Sequence, residues 1–110
     1  MNNSLALLQL IADPTRLAIL ETLKQGEAPV GRIVAGVGIR QSGVSRHLRI
    51  LHGAGVVTVR ADGQRRLYAL RPEPFAALDD WIAGYRNLWT KRLDRFAGAL
   101  SERQLEKGAE

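Results

Sequence analysis

The chain contains no cysteine, and this absence excludes disulfides, thiolate metal sites and cysteine nucleophiles. Aromatic residues are also few, two each of Trp, Tyr and Phe, so a core would consist mainly of Leu, Ile, Val and Ala. No apolar run approaches the roughly 20 residues that a membrane-spanning helix needs. The apolar run 5–12 is too short for a span and lacks the preceding basic residues of a signal peptide. We therefore expect a cytoplasmic protein with no membrane partner.

Length and composition predict one folded domain over residues 1–110, because single domains commonly have about 100–150 residues. Apolar residues make up 45% of the chain and charged residues 25%, which is typical of a folded domain rather than a disordered chain. No internal repeat or low-complexity linker divides the sequence.

Acidic residues are scarce in one stretch of the chain, although the whole protein has 16 basic and 11 acidic residues and a net charge of +5. Residues 40–71 contain seven arginines and only Asp62, a net of +6, whereas residues 1–39 are neutral and residues 72–110 carry −1. This concentration predicts a docking surface for an anionic partner, because the planar guanidinium group binds phosphate oxygens and guanine edges. An ordinary solvated surface is the alternative.

Apolar residues at helical spacing predict four helices within residues 5–52. Asp13-Pro14 is a suitable start for the second helix, since Asp can cap free N–H groups and Pro loses no hydrogen bond at the first position. A short third helix follows Pro29, and the fourth covers 41–52. Val44, Leu48 and Leu51 recur at i, i+4 and i+7, so one side of the fourth helix is apolar. The polar residues lie largely on its other side: Gln41, Ser42, Ser45, Arg46 and Arg49.

The pattern then changes to two short β-type runs, 56–60 and 66–70. Asp62-Gly63 between them is a dipeptide favoured in tight hairpin turns, so we predict a hairpin over about 56–70. Three arginines cluster at its tip, namely Arg60, Arg65 and Arg66.

A long helix is predicted from Pro74 to about Leu105, residues 74–105, with apolar positions close to a heptad repeat. A helix of about 30 residues is about 45 Å long, more than a small fold can cover, so we expect it to pack against a second copy. Its predicted dimerisation residues are Trp81, Ile82, Tyr85, Trp89, Leu93 and Phe96.

This order of elements predicts a mostly α fold with a small β-hairpin: a winged helix-turn-helix over residues 5–70 with a long C-terminal dimerisation helix. The polar side of a short helix can enter the major groove, where Gln, Ser and Arg reach base edges and phosphates. A basic hairpin beside it can lie along the DNA backbone or the minor groove.

Several segments also resemble those of a known family. The segment 12–20, ADPTRLAIL, resembles the opening motif of the ArsR-type repressors, small homodimeric winged-helix regulators of bacteria. The segment 41–51, QSGVSRHLRIL, is similar to their recognition helix, and the segments 53–57 and 63–70 match as well. The resemblance covers residues 5–70 at specific positions and the last helix by pattern only.

This resemblance implies a homodimeric repressor that binds an operator in double-stranded DNA near a promoter and blocks transcription. It implies that the first and last helices form the dimer, which adds Leu5 and Leu8 to the predicted dimer contacts. It also implies that the fourth helix faces DNA and that the wing arginines hold phosphates. The predicted DNA-contacting residues are then Arg40, Gln41, Ser42, Ser45, Arg46, His47, Arg49, Arg60, Arg65 and Arg66.

The sequence departs from the family at its metal-binding positions. Pro29-Val30-Gly31 stands where metal-sensing members carry Cys-Val-Cys, and residues 74–110 contain no histidine. The carboxylates of that stretch make a poor site for a zinc-like ion without imidazole or thiolate ligands. We therefore predict no metal site, no cofactor and no metal response. Arg40 replaces the serine usual at the start of the recognition helix, so this start is weakly capped or Arg40 contacts DNA.

Two other functions stay open at this point. The basic surface fits a non-specific architectural or RNA-binding winged helix as well, and the last helix could bind a different protein. Gln41 and Ser45 distinguish a sequence-specific regulator from a non-specific winged helix, because their side chains are suited to reading bases. An enzyme is not expected, since no histidine and carboxylate arrangement accompanies the serines of the fourth helix.

Individual residues also have alternative roles. His47 is either a phosphate ligand or a partly buried hydrogen-bonding residue at the helix edge, and His52 is expected to be structural. Trp81, Tyr85 and Trp89 are expected to pack in a core or dimer; alternatively they line a pocket for an unknown small-molecule effector.

Overall fold

The computed structural model describes residues 3–109, with side chains from residue 4 to residue 104. The protein is mostly helical with a small antiparallel sheet, which confirms the predicted winged helix-turn-helix architecture. In chain order the elements are α1 (Asn3–Ile11), α2 (Pro14–Leu23), β1 (Ala28–Pro29), α3 (Val30–Val37), α4 (Gln41–Gly53), β2 (Val57–Asp62), β3 (Arg65–Leu70) and α5 (Pro72–Ala109). Two compact units divide between Leu78 and Asp79, and a single domain over 1–110 stays a prediction.

The helix-turn-helix consists of α3 and α4. Gly38 ends α3 in the left-handed conformation with φ +80, which glycine adopts without the steric penalty of a Cβ atom. Arg40 occupies the N-cap position of α4 and makes no side-chain capping hydrogen bond. The start of α4 is therefore weakly capped, which is one of the two alternatives expected for Arg40; a contact between Arg40 and DNA stays a prediction.

The wing is a hairpin over residues 57–70, one residue shorter than predicted. Its turn is Gly63-Gln64 rather than the predicted Asp62-Gly63, because Asp62 is still paired with Arg65 in the strand register. Gly63 adopts φ +64 at the first position of the two-residue loop, where tight hairpin turns require a positive φ.

The sheet has a third strand that the sequence pattern does not predict. β1, Ala28–Pro29, pairs antiparallel with β3, so the strand order is β1-β3-β2. Two residues are too few to produce the alternation that marks a strand. Pro29 is tolerated there because β1 lies at the edge of the sheet.

One hydrophobic core lies beneath α4 and the sheet. Val44, Leu48 and Leu51 of α4 have no exposed surface (0%), and they are the residues predicted for its apolar side. The other members of this buried cluster are Leu7, Ile19, Leu20, Leu23, Ala28, Ile33, Val56 and Val57. Because its inner side is fully enclosed, α4 presents a defined outer side to the surroundings.

The last helix is longer than the predicted 74–105. Pro72 and Pro74 both lie in the first turn of α5, where backbone N–H groups have no partner within a helix, so neither proline disturbs it. Residues 84–104 are all exposed. Among the described residues, no helix combines the length and hydropathy that crossing a membrane requires.

Candidate nucleic-acid interface

The outer side of α4 carries most of the side chains predicted to contact DNA. The exposed ones on this helix are Gln41, Ser42, Arg46 and Arg49, and the half-buried ones are Ser45 and His47. Ser42, Ser45, Arg46 and Arg49 project away from the enclosed apolar residues because the helix repeats every 3.6 residues. Gln41 and His47 lie at the two edges of the apolar side. The structure therefore places the predicted polar side of α4 at the surface.

The three wing arginines differ in their carboxylate partners. Arg60 donates from Nε and Nη2 to the two carboxylate oxygens of Glu27, both at 2.7 Å, in a bidentate ion pair. The hydrogen bonds from Arg60 are the main reason that the pKa of Glu27 lies below its usual value. Arg65 pairs with Asp62 across the turn at 2.9 Å. Arg66 forms no salt bridge with any residue that the structure describes.

Arg66 shares this property with arginines at the start and on the outer side of α4. We refer to the four residues Arg40, Arg46, Arg49 and Arg66 as the unpaired arginines. Over residues 4–104, none of them has a carboxylate within salt-bridge distance. An exposed guanidinium without an internal partner keeps its five donors available for an anionic ligand.

A cleft of about 410 Å³ lies between α4 and the wing. Its polar lining consists of Ser45, Arg49 and His52 from α4 and Arg66 and Tyr68 from β3. Two of the unpaired arginines from different elements therefore share one concave surface. Tyr68 is missing from the predicted set, although its spacing of two residues from Arg66 places both side chains on the same face of the strand.

A second residue missing from the predicted set is Arg16, near the start of α2. Its Nε donates to the carbonyl oxygen of Leu10 in α1 at 2.9 Å, and its Nη1 lies 3.5 Å from Nδ1 of His47 in α4. The backbone N–H of Arg16 donates to Oδ2 of Asp13 at 2.9 Å, and this bond is the main cause of the lowered pKa of Asp13. The charge of Arg16 lowers that pKa further. The bond to Asp13 is the helix cap that Asp13-Pro14 predicts. No local sequence pattern predicts the two contacts of the Arg16 side chain.

The predicted dimer residues are mostly exposed in the single chain. The exposed ones are Leu5 (55%), Ile82 (38%), Tyr85 (61%), Trp89 (59%), Leu93 (49%) and Phe96 (62%). Leu8 and Trp81 are half-buried. The rings of Trp81 and Tyr85 meet edge to face, with their centroids 5.3 Å apart. On α5, large apolar side chains at this level of exposure are of the kind that marks a protein interface.

Metal-ligating side chains do not gather anywhere in the part of the chain that the structure describes. There, no group of three or more His, Asp or Glu residues is placed to hold an ion. The predicted absence of a metal response stays a prediction.

Comparison with known proteins matches this site to a family. Residues 13–59 match the family described as bacterial regulatory protein, arsR family. The HTH-type transcriptional regulator Rv2034 of Mycobacterium tuberculosis is 37% identical over 89 residues, which are 81% of this chain and 80% of the relative. The biofilm growth-associated repressor of Agrobacterium fabrum is 39% identical over 72 residues, which are 66% of this chain and 62% of the relative.

Solved structures agree. The ArsR family transcriptional regulator RHA00566 superimposes with a TM-score of 0.67 at 30% identity, over 82% of this chain and 94% of the other. The transcriptional repressor BigR from Xylella fastidiosa superimposes with a TM-score of 0.63 at 28% identity, over 74% of this chain and 85% of the other. The family and these relatives are DNA-binding transcriptional regulators and not enzymes, as the sequence predicts. Sequence, fold and site together establish that this chain belongs to the ArsR family of bacterial regulatory proteins.

Proposed function

We propose that this protein is a homodimeric, sequence-specific transcriptional repressor that binds an operator in duplex DNA. The observation that carries this proposal is that the four unpaired arginines lie on α4 and the wing, where Arg49 and Arg66 line one cleft. Arginines elsewhere, such as Arg32 on α3, also lack a salt bridge among the described residues, but α4 and the wing are the elements that a winged helix-turn-helix presents to DNA. The other two wing arginines already have carboxylate partners. Charge left unpaired on one recognition surface supports binding to a polyanion.

In this proposal α4 lies in the major groove and the wing follows the adjacent backbone. Gln41 and Ser45 of α4 read base edges. Arg49 and Arg66 at the cleft between α4 and the wing hold phosphate oxygens, which fixes the register of the protein on the duplex. Arg60 contributes less to DNA binding, because reaching a phosphate would break its bidentate bond to Glu27.

The partner for the exposed apolar side chains of α5 is a second copy of the chain. Their heptad-like spacing matches helix-to-helix packing, and a homodimer gives two recognition helices for two half-sites about one DNA turn apart. Because its ligand is operator DNA, we place the protein in the bacterial cytoplasm.

Binding of the purified protein to its own upstream region tests the main proposal. Fluorescence anisotropy should give an affinity at least about 1000-fold higher for this duplex than for a shuffled duplex at the same salt concentration. Equal affinities for the two duplexes would contradict sequence-specific binding and support the architectural alternative. Size-exclusion chromatography of the free protein should give a dimer, and a monomer would favour binding of α5 to a different protein.

The double variant Gln41→Ala/Ser45→Ala tests base reading separately. We expect it to bind the upstream region and the shuffled duplex with similar affinity, because it keeps every arginine but loses side chains that read bases. A retained preference for the upstream region would show that these two residues do not provide the specificity.

We also propose that DNA binding does not respond to metals. Adding zinc, cadmium or arsenite to the protein–operator complex should leave the affinity unchanged. A release of DNA by any of these ions would contradict this part of the proposal.

A further inference from the structure

We propose that Arg16 is a positioning residue of the DNA-binding surface, which orients His47 on the recognition helix and links it to α1. This role rests on the proposed function, in which α4 reads DNA. It assigns a task in DNA binding to a residue of α2, a helix that carries none of the predicted DNA contacts.

The contact between Arg16 and His47 selects one tautomer of the neutral imidazole ring. A guanidinium group has only donors, so Nδ1 of His47 must accept the hydrogen bond from Nη1 across 3.5 Å. In the neutral ring the proton then resides on Nε2, on the other side of the imidazole. His47 is half-buried, and its Nδ1 is engaged by Arg16. We therefore infer that Nε2–H is the group that donates to a phosphate oxygen.

Arg16 is itself held by two further hydrogen bonds. Its backbone N–H bonds to the side chain of Asp13, and its Nε bonds to the carbonyl of Leu10 at 2.9 Å. The Leu10 carbonyl lies in the last turn of α1, where carbonyl groups receive no hydrogen bond from an N–H of the same helix. The two side-chain contacts, to Leu10 and to His47, therefore connect the end of α1 to the recognition helix, while the backbone bond to Asp13 fixes Arg16 at the start of α2.

This connection has a consequence for regulation. α1 carries Leu5 and Leu8, two residues that we propose for the dimer contact. A shift of α1 that moves the Leu10 carbonyl also moves the guanidinium and, with it, the imidazole of His47. Lysine cannot replace Arg16 in this role, because a single ammonium nitrogen does not reach two acceptors in the fixed geometry of the guanidinium fork.

Operator binding by four variants tests this role: Arg16→Lys, Arg16→Gln, His47→Ala and Arg16→Gln/His47→Ala. We expect each single variant to lose about tenfold in operator affinity, and the double variant to bind no more weakly than His47→Ala alone. Arg32→Gln is the matched control, since it removes one exposed positive charge that has no hydrogen bond to the recognition helix. Additive losses in the double variant, or equal losses in Arg16→Gln and Arg32→Gln, would overturn the proposal.

Nitrogen-15 NMR of the DNA-free protein gives a readout that a merely structural role would not change. The wild-type spectrum should show His47 as the Nε2–H tautomer, and both Arg16 variants should show a mixture of tautomers, with His52 unaffected as the internal reference. Unchanged His47 signals would overturn the proposal even where a variant is less stable. This spectrum needs no DNA, so it tests the contact between Arg16 and His47 independently of operator binding. Failure of the wild type to bind any operator would contradict the proposed function but not this contact.

Discussion

The recognition helix α4 and the distal part of α5 are both amphipathic, but their apolar sides have different surroundings. Leu48 on α4 has no exposed surface (0%), whereas Trp89 and Phe96 on α5 are 59% and 62% exposed. The apolar side of α4 is covered by residues of the same chain, whereas the large apolar side chains of distal α5 are exposed over the part of the helix whose side chains are described. The apolar side of α4 contributes to the stability of the fold. We propose that the apolar side of distal α5 contacts a second copy of the chain.

Removing the side chain of Leu48 is the strongest way to test the first half of this comparison. Leu48→Ala should lower the free energy of unfolding by about 2–5 kcal/mol, because it leaves a cavity in an enclosed core. The total stability of a domain is only about 5–15 kcal/mol, so part of the protein could unfold at room temperature. Urea denaturation at fixed protein concentration measures this, with Ile50→Ala, at a site 39% exposed on the same helix, as the control. Equal losses in the two variants would contradict the account.

Placing a charge on the exposed side of α5 tests the second half. Trp89→Asp should raise the dimer dissociation constant at least about 30-fold, because a buried interface aromatic contributes about 2 kcal/mol or more. Sedimentation equilibrium measures this constant. Asn87→Asp introduces the same charge about half a turn away and should leave it nearly unchanged. A Trp89→Asp protein that is as dimeric as the Asn87→Asp protein would show that this side of α5 is not the interface.

The same contrast between satisfied and unsatisfied groups applies to the wing arginines, with a smaller effect. Arg66→Gln should reduce the slope of log affinity for operator against log salt by about 1, because it removes one phosphate contact. Arg60→Gln should leave that slope unchanged and lower the melting temperature instead, since it removes the bidentate bond to Glu27. Equal changes of slope in the two variants would mean that pairing with Glu27 does not withhold Arg60 from DNA.

The smallest expected effect concerns stability at low pH. Hydrogen bonds from Arg60 lower the pKa of Glu27, and the backbone N–H of Arg16 lowers that of Asp13. A carboxyl group whose pKa is lowered in the folded state stabilises the protein above its unfolded pKa and loses this contribution as the pH falls through the folded value. The melting temperature should therefore decrease as the pH falls below about 4.

Two variants test whether the carboxyl groups of Glu27 and Asp13 cause this pH dependence. Glu27→Gln should begin with a lower melting temperature at neutral pH and decline less steeply with acidification. Asp13→Asn keeps a residue that can cap α2 but removes the titration, so it should also decline less steeply. Parallel curves for the wild type and both variants would place the pH dependence elsewhere.

Local patterns account for most of what could be predicted from the sequence. The spacing of Val44, Leu48 and Leu51 predicts the buried side of α4, and Asp13-Pro14 predicts the start of α2, because these features depend on neighbours within one or two helical turns. The family resemblance adds the likeness of 41–51 to a recognition helix. These elements were sufficient for the fold and for the polar side of α4.

The features that the sequence did not predict depend on contacts between distant residues. Arg60 meets Glu27 across 33 positions of the chain, and Arg16 meets His47 across 31. Neither pairing has a periodic signature, since it arises only when the elements pack together. The same applies to β1, which has two residues and exists only because β3 lies beside it.

The central claim is that two copies of the chain present two recognition helices to one face of the duplex. Native mass spectrometry and anisotropy on operators with increasing separation of the half-sites test it directly. The account predicts two chains per duplex, a loss of affinity when about 5 base pairs are inserted, and recovery when about 10 are inserted. One chain per duplex, or an affinity that does not depend on the inserted length, would contradict it.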